Sequence, residues 1–315
     1  MLKDFFERLG REMTENNLKQ AMVPEGCVVL YNDNGTAPGI LIDDSGKILV
    51  MLPGPPKELI PMFEKYVRPY LEKKQEYILV SRVLRVSRLG ESMTEYKLRD
   101  IIDSQTNPTI ATYVKNIEVI VKITAKAKTR DEAERLIDPV AKEVYARLGD
   151  NVYAEGDTTI NSVVCEELIK RNITVAVSES CTGGMVSSAF TDIPGISKIF
   201  IEGAVTYSNG AKMRRLGVSD KTLEKYGAVS EQTAVEMAKG IAESSGADIG
   251  ISTTGIAGPG GGSSEKPVGL VYVGICVKGK AWAKEFHFTG NREKIRTRAV
   301  DAVFDMLRRE IAKLD

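Results

Sequence analysis

Hydroxyl and thiol side chains crowd a predicted strand-to-helix turn at residues 178–184. Residues 173–177 form a short β-branched apolar run that predicts a buried strand, and residues 185–190 have helical composition. Between them lie Ser178, Ser180, Cys181 and Thr182. Unpaired backbone N–H groups at a helix start can face an oxyanion or a phosphate, so a hydroxyl there is a candidate nucleophile. The alternative is that Ser180 and Thr182 only cap the helix.

The histidine content restricts the choice of general base. The chain has one histidine, His287, in an alternating segment that predicts a strand, where we expect it to be structural or exposed to solvent. A metal site built on two or three histidines is therefore impossible within the chain. Lys212, at the start of a predicted short helix, would act as a base if burial lowered its pKa. Ser180 and Lys212 are thus the simplest nucleophile–base pair that the sequence offers. The alternatives are that Lys212 is only a solvated side chain, or that Cys181 is the nucleophile.

A glycine-rich loop at residues 253–267 follows another predicted strand. Five of the eight residues 255–262 are glycine, and no Gly-Lys-Ser/Thr ending of a P-loop follows. Ligands of open α/β sheets bind beyond the carboxyl ends of strands, so we expect this loop to share one site with residues 178–184 and 207–212. The alternative is a flexible surface loop. A basic run downstream offers a charge partner for an anionic substrate, or only an exposed helix face; it consists of Arg292, Lys294, Arg296 and Arg298.

Composition excludes several classes of protein. Lys+Arg and Asp+Glu both number 43, and this balance argues against a dedicated nucleic-acid binder. The cysteines are Cys27, Cys165, Cys181 and Cys276, without metal-ligand spacing, which is typical of free thiols in a reducing cytoplasm. No apolar run approaches bilayer length and the first residues do not form a signal peptide. We expect a cytoplasmic protein without a membrane partner.

The order of predicted elements indicates a multidomain α/β protein with pieces at residues 1–74, 75–150 and 151–315. The first holds a helix at 2–13, strands at 28–31 and 48–52, and a helix at 61–71, which is too little for a complete domain. The second has the order βαββα of a KH-like sandwich, with a capping box at Thr129 and no GxxG clamp for nucleic acid.

The third piece, residues 151–315, alternates apolar strands with amphipathic helices. Residues 151–157 are a linker or an edge strand, and Ser230 caps a helix that Gly246 ends. The turn at residues 278–280 joins an antiparallel hairpin. We expect a mixed sheet with helices on both faces. The predicted strands are 173–178, 200–207, 249–253, 268–277 and 281–288, and the predicted helices 159–171, 183–191, 230–246 and 292–313.

Four ordered motifs in the third piece resemble the C-terminal domain of the CinA family, the nicotinamide mononucleotide deamidases. They lie at residues 178–184, 205–212, 226–230 and 254–269. The middle piece is similar to the KH-like linker domain of the same family. Upstream, residues 11–17, 35–39 and 52–56 resemble the end of its molybdopterin-binding-like domain, of the MoaB/MogA type.

The resemblance implies a function for the third piece. The carboxamide of nicotinamide mononucleotide would be hydrolysed to nicotinate mononucleotide and ammonia, without metal or cofactor. Ser180 would be the nucleophile, Lys212 the general base and Tyr207 an assisting residue. The implied substrate-binding residues are Ser178, Glu179, Cys181, Thr182, Gly183, Thr254, Gly255, Gly258, Gly260, Arg292 and Arg296.

Other functions remain open from the sequence. A nucleotide or ADP-ribose pyrophosphatase would work through the N-terminal domain, whose first half, with its Gly-Gly-Leu-Gly-Pro-Thr loop, is not in this sequence; we expect that activity to be absent. A non-enzymatic adaptor linked to competence or DNA damage and an amidase for a different nucleotide are further alternatives. The partial N-terminal domain would leave apolar surface, so we also expect a homodimer.

Overall fold

The fold is that of a computed structural model, which describes residues 6–7, 10, 12–13, 19–115 and 118–314. The helix predicted at residues 2–13 falls largely outside the described residues. The chain divides into two compact units, one of Met1–Val80 with Lys126–Ala133 and the other of Ser81–Ala125 with Glu134–Asp315. Within the described part, no helix has the length and apolar character needed to cross a bilayer.

A three-stranded antiparallel sheet in the order β1-β2-β3 begins the described fold. Its strands are β1 (Val28–Leu30), β2 (Gly39–Asp44) and β3 (Lys47–Met51). Strand β2 was not predicted, although its turn carries a sequence signal. Ser45 and Gly46 have φ of 51° and 79°, and positive φ at both central residues is the mark of a type I′ hairpin turn.

Helical structure follows this sheet and starts earlier than predicted. Helix α1 (Pro56–Met62) begins five residues before the predicted start at residue 61, continues through a π-helical turn (Phe63–Val67) and ends in α2 (Arg68–Glu72). The prolines of residues 52–56 indicated a loop, but a proline in the first helical turn loses no hydrogen bond. Leu30, Leu41, Met62 and Val67 form the buried core between sheet and helices.

A four-stranded sheet in the order β5-β6-β4-β7 forms the KH-like module. Thr129 accepts a hydrogen bond from the amide of Glu132 (3.2 Å), as predicted for the cap, whereas Glu132 accepts from the amide of Lys128 (3.1 Å), so the return bond of the predicted capping box is shifted by one residue. Residues 151–157 contain an edge strand that pairs with β4. The elements are β4 (Ile78–Val86), α3 (Glu91–Asp103), β5 (Thr109–Lys115), β6 (Glu118–Ala127), α4 (Arg130–Leu148) and β7 (Val152–Glu155).

The C-terminal region contains the predicted mixed sheet, in the order β12-β11-β10-β8-β9. Strands β8 (Val175–Glu179) and β9 (Phe200–Val205) run parallel to each other and to β10 (Ile249–Gly255). Strands β11 (Leu270–Val277) and β12 (Lys280–His287) continue it antiparallel, as the predicted hairpin. The three parallel strands therefore end at one edge.

Helices cover both faces of this sheet because successive residues of β8 point to opposite sides. Val175 and Val177 pack in one core with α5 (Ile160–Arg171), α6 (Met185–Thr191) and α10 (Arg292–Ile311). Ala176 packs in a second core with α7 (Asn209–Leu216), α8 (Asp220–Tyr226) and α9 (Glu231–Ser245). The fold is thus a multidomain mixed α/β architecture, as expected.

Candidate active site

The amine of Lys212 lies next to the hydroxyl of Ser180 beyond the ends of the parallel strands. Lys212 Nζ is 3.2 Å from Ser180 Oγ, 2.8 Å from the Thr206 carbonyl and 3.2 Å from the Tyr207 carbonyl. The Lys212 side chain is fully buried. Ser208 caps α7 by accepting the amide of Ala211 (3.2 Å), which places Lys212 in the first turn of that helix. The helix start thus directs the lysine toward the turn after β8.

Burial lowers the pKa of Lys212 below its ordinary value because desolvation penalises the charged ammonium. Among the described residues, Lys212 forms no ion pair with a carboxylate that would offset this effect. A neutral amine has two N–H groups and one lone pair. Its N–H groups can donate to the carbonyls of Thr206 and Tyr207, which leaves the lone pair to accept the Ser180 hydroxyl. The environment therefore suits a general base.

Strand β10 fixes the turn that displays Ser180. The amide of Ser180 donates to the Thr253 carbonyl (2.9 Å), and the hydroxyls of Thr182 and Thr253 are 2.6 Å apart. Gly183 and Gly184 have φ of 58° and 97°, a left-handed conformation that other residues rarely adopt. The sequence analysis did not single out the Thr253 hydroxyl or the Thr206 carbonyl, because only the folded sheet brings them to the turn.

Glu179, not Ser180 or Thr182, satisfies the start of α6. Its carboxylate accepts the amides of Gly184 (2.9 Å), Val186 (3.0 Å) and Ser187 (2.8 Å), and the Ser187 hydroxyl (2.6 Å). The N-cap residue Gly184 makes no side-chain cap, so the alternative of Ser180 and Thr182 as helix caps is wrong. Glu179 is fully buried, so the structure places it beneath the turn rather than in a substrate-binding position. Its charge also fills the anion site that was expected at this helix start.

Ser178 is likewise a structural residue. It belongs to β8 rather than to the turn, and its side chain is fully buried. Its hydroxyl donates to the carbonyls of Met237 (3.2 Å) and Ile251 (3.1 Å). The predicted role of Ser178 in substrate binding is therefore corrected, because Ser178 is a buried residue of β8, which runs to Glu179, whereas the predicted strand ended at residue 177 or 178.

Cys181 is a poor alternative nucleophile. Its side chain is buried, and burial raises the pKa of the Cys181 thiol to about 12. A thiol with this pKa is almost entirely protonated near neutral pH, and the thiolate is the reactive form. His287 offers it no base, because the ring is exposed on β12 and contacts Glu285 (Nε2 to Oε1 2.7 Å). Ser180 therefore remains the better candidate.

Two arginines of α10 contact the glycine-rich loop and the turn of Ser180. Arg292 donates to the Gly258 carbonyl (2.8 Å), and Arg296 donates to the Thr182 carbonyl (2.6 Å). The Arg296 Nε atom is buried without a hydrogen-bond partner. Lys294 of the same basic run is exposed, and Arg298 donates to the Thr289 hydroxyl (2.9 Å). The run is thus divided between the site and the surface.

Tyr207 joins the site through its backbone. Its carbonyl accepts a hydrogen bond from Lys212, whereas the residue as a whole is 62% exposed. The phenol oxygen accepts a long hydrogen bond of 3.5 Å from Arg292. The structure therefore brings Tyr207 to the rim, on the same side as the two arginines, and does not place its hydroxyl on Ser180.

The glycine-rich loop has a structural half and an open half. Thr254 donates to the Ala228 carbonyl (2.6 Å), and a Cβ on Gly255 would lie 2.6 Å from the Leu270 carbonyl, so these two residues hold the strand in place. Gly258 has φ of 76° and its carbonyl accepts from Arg292, whereas a Cβ on Gly260 would meet nothing within 4 Å. Only the second half can approach a ligand.

Existing hydrogen bonds limit which backbone amides could bind an oxyanion. The amides of Gly183 and Ile256 donate to the carbonyls of Ser180 (3.2 Å) and Leu270 (2.8 Å) and are therefore occupied. In the described part of the chain, the amides of Thr182, at the Ser180 turn, and of Ala257 and Gly258, in the glycine-rich loop, donate to no backbone carbonyl. These amides are candidates for binding an oxyanion. No group of three His, Cys, Asp or Glu side chains that could hold a metal ion occurs among the described residues.

A mixed α/β fold with a buried serine–lysine pair beyond its parallel strands defines the structural class. Residues 157–311 match the family model described as CinA C-terminal domain, and residues 81–154 match the Damage-inducible protein CinA KH domain. The chain belongs to the CinA family.

Curated relatives extend this match over the chain. A competence-damage inducible protein of Clostridium acetobutylicum is 56% identical over 310 residues, which is 98% of this chain and 75% of that protein. One of Clostridioides difficile is 50% identical over 321 residues, with 100% of this chain and 77% of that protein covered. Among solved structures, a CinA superfamily protein of Klebsiella pneumoniae is 34% identical with a TM-score of 0.48, covering 49% of this chain and 96% of that one.

Proposed function

We propose that the C-terminal region hydrolyses the carboxamide of nicotinamide mononucleotide to nicotinate mononucleotide and ammonia. The observation that carries the proposal is the 3.2 Å contact between Lys212 Nζ and Ser180 Oγ, in a site whose burial lowers the pKa of Lys212. The nucleotide substrate comes from the family resemblance. The free cysteines Cys27, Cys165, Cys181 and Cys276 are consistent with activity in the cytoplasm.

The reaction would proceed by nucleophilic catalysis. Neutral Lys212 takes the Ser180 proton while Oγ attacks the carboxamide carbon. The resulting oxyanion accepts hydrogen bonds from the backbone amides of Thr182 and Gly258. Collapse of this intermediate breaks the C–N bond, and the Lys212 ammonium returns the proton to the leaving ammonia. Water then attacks the ester while Lys212 accepts a proton from it, and collapse of the second intermediate breaks the bond to Ser180 Oγ. The Lys212 ammonium returns that proton to Oγ, and the acid product loses its proton to solvent and leaves as the carboxylate.

The substrate phosphate would be bound by the guanidinium groups of α10. Arg292 and Arg296 lie at the rim of the site, and guanidinium groups bind phosphate oxygens in paired hydrogen bonds. The α6 start cannot take this role, because Glu179 already accepts its amides. The phosphate and the reacting amide would therefore be held by different elements.

Ammonia release from nicotinamide mononucleotide, without added metal, tests the proposal. We expect turnover by the parent and a loss of about a thousandfold or more in kcat for Ser180→Ala and Lys212→Ala. Lys239→Ala, at an exposed position on α9, is the matched lysine control and should retain parent activity. Turnover that survives in Ser180→Ala would contradict the serine mechanism. A folded parent protein without turnover would contradict the assignment of nicotinamide mononucleotide as the substrate.

A further inference from the structure

A cavity of about 730 Å³ lies away from Ser180 between the KH-like module (residues 81–154) and the C-terminal region. Its walls include Arg88 and Glu118 from the module, Phe286 and Phe288 at the end of β12, and Asp301 of α10. Small-molecule sites typically have volumes of roughly 300–1,000 Å³. The cavity is thus of a suitable size for a ligand.

Hydrogen bonds hold the two walls in place. The Ser87 hydroxyl donates to Asp305 Oδ1 (2.9 Å), and Arg308 donates to the Asp150 carbonyl (2.6 Å). The amide of Ser87 donates to the Asn151 carbonyl (2.9 Å), which ties the loop after β4 to the start of β7. The cavity is therefore bordered by elements that contact each other directly.

Arg88 and Asp301 both line this cavity, and no hydrogen bond or ion pair joins them. Among the described residues, neither side chain forms a hydrogen bond or an ion pair. Arg88 has φ of 64°, a conformation that is uncommon for arginine and occurs often at ligand sites. An arginine and a carboxylate that border the same space without contact leave room for a ligand group that binds to both.

The carboxyl of Asp301 is in an unfavourable environment for its charge. Burial, and after it the charge of Asp305, raise the pKa of Asp301 to about 7, and Glu118 adds to this rise while Arg88 opposes it. Hydrogen-bond donors of a ligand would relieve the lack of partners, because a carboxylate accepts them through both oxygens. Ribose hydroxyls are donors of this kind.

Aromatic rings line another part of the cavity. Phe286 and Phe288 are stacked, with ring centroids 5.5 Å apart and an interplanar angle of 9°. The Arg88 guanidinium lies 4.6 Å from the Phe286 centroid, so one side of that ring is covered. Phe288 is only partly buried and can accept a flat heteroaromatic ring.

We infer that this cavity binds a nucleotide, with its base against Phe288, its ribose hydroxyls on Asp301 and its phosphate on Arg88. Lys284 and Arg298 add positive charge at the border, and Glu91, Glu118 and Glu285 add negative charge. The site is distinct from the proposed catalytic pair and its occupancy does not depend on the proposed reaction.

Helix α10 joins this cavity to the glycine-rich loop and the turn of Ser180. Arg292 and Arg296 contact the loops at Gly258 and Thr182, whereas Asp301 lies on the cavity wall about one and a half turns further along the same helix. A nucleotide bound to Asp301 would therefore act on the element that also carries the two rim arginines.

Isothermal titration of the full chain with AMP tests this inference. We expect one AMP bound per chain, with affinity lowered at least about tenfold by Arg88→Asn and by Asp301→Ala, since each removes one charged partner. Asparagine is chosen at position 88 because it tolerates the left-handed backbone better than most residues. Phe288→Ala is a third variant, which should weaken AMP binding without a change of charge. Lys170→Ala, at an exposed position on α5, should leave AMP affinity unchanged.

Several outcomes would overturn the inference. These are the absence of binding at millimolar AMP, binding that Arg292→Ala abolishes while Arg88→Asn does not, and inorganic phosphate binding as tightly as AMP. The titration reads binding directly, so a failure of nicotinamide mononucleotide hydrolysis would not affect it.

Discussion

Lys212 Nζ is closer to the Thr206 carbonyl (2.8 Å) than to the Ser180 hydroxyl (3.2 Å). The carbonyl accepts an N–H group and so sets the direction of the remaining lone pair. The lysine is thus positioned by backbone atoms at the end of β9, which no side-chain substitution at Thr206 would remove. The position of Lys212 Nζ relative to Ser180 Oγ should therefore be the same in variants of neighbouring side chains.

Activity should rise with pH as Lys212 loses its proton. The amine must be neutral to accept the Ser180 proton, and burial lowers its pKa. We expect log kcat to increase with a slope of about one on the acid side and to level off above the lowered pKa. Lys212→Arg should be inactive at every pH, because arginine stays protonated. A parent profile that falls as pH rises through this range would contradict the role of Lys212 as base.

Glu179→Gln should damage both stability and turnover. One amide nitrogen would replace a carboxylate oxygen that faces only donors, so we expect a loss of about 2–4 kcal/mol in the free energy of unfolding. The displaced turn should lower kcat more than it raises KM, because it carries Ser180. Glu231→Gln, at an exposed position in the first turn of α9, is the control for a helix-start carboxylate. Chemical denaturation with steady-state kinetics checks both effects, and a fully active, stable Glu179→Gln would refute them.

The Thr182 and Thr253 hydroxyls should behave as a coupled pair. Thr182→Val leaves the Thr253 hydroxyl without its partner at 2.6 Å, which should cost about 1–3 kcal/mol of unfolding free energy. The double variant Thr182→Val/Thr253→Val removes both hydroxyls at nearly constant shape and should be more stable than the sum of the single variants predicts. Additive losses in a double-mutant cycle would show that the hydroxyl contact contributes nothing.

Asp301→Asn should stabilise the protein at alkaline but not at acid pH. The folded-state pKa of Asp301, about 7, lies above its unfolded value of 3.8, so the folded state favours the protonated carboxyl. This favourable contribution is complete below the unfolded pKa and is lost as pH rises through the folded pKa. At pH near 8 the asparagine variant should therefore be more stable by about 1–3 kcal/mol, with little difference near pH 4. Asp192→Asn, at an exposed site, should show no such trend in denaturation curves.

Local patterns were sufficient to predict most of the catalytic region. An apolar run and a glycine pair located the turn of Ser180, Lys212 was placed at the start of a short helix, and the single histidine reduced the choice of base. The contacts that support the turn were not predictable in this way. The hydrogen bonds of Glu179 depend on whether the strand ends at residue 177 or 179, and pattern alone does not resolve such boundaries.

The errors elsewhere have similar causes. Strand β2 was missed because its apolar run is only Ile40, Leu41 and Ile42, and the hairpin turn at Ser45 and Gly46 was not recognised. Arg88 and Asp301 are far apart in the chain, and neither is part of a motif. Only the packing of the KH-like module on α10 brings them to one cavity.

The carboxylate of Glu179 also bears on substrate choice. A helix start that already holds a negative charge from its own chain repels a second anion, so in the proposed reaction the phosphate of the nucleotide would be kept away from the Ser180 hydroxyl. Recognition of the phosphate would then depend on Arg292 and Arg296, and the distance between Ser180 and the phosphate-binding guanidinium groups would select substrates by length. Free nicotinamide has no phosphate to bind these arginines, so the proposed site would favour the nucleotide.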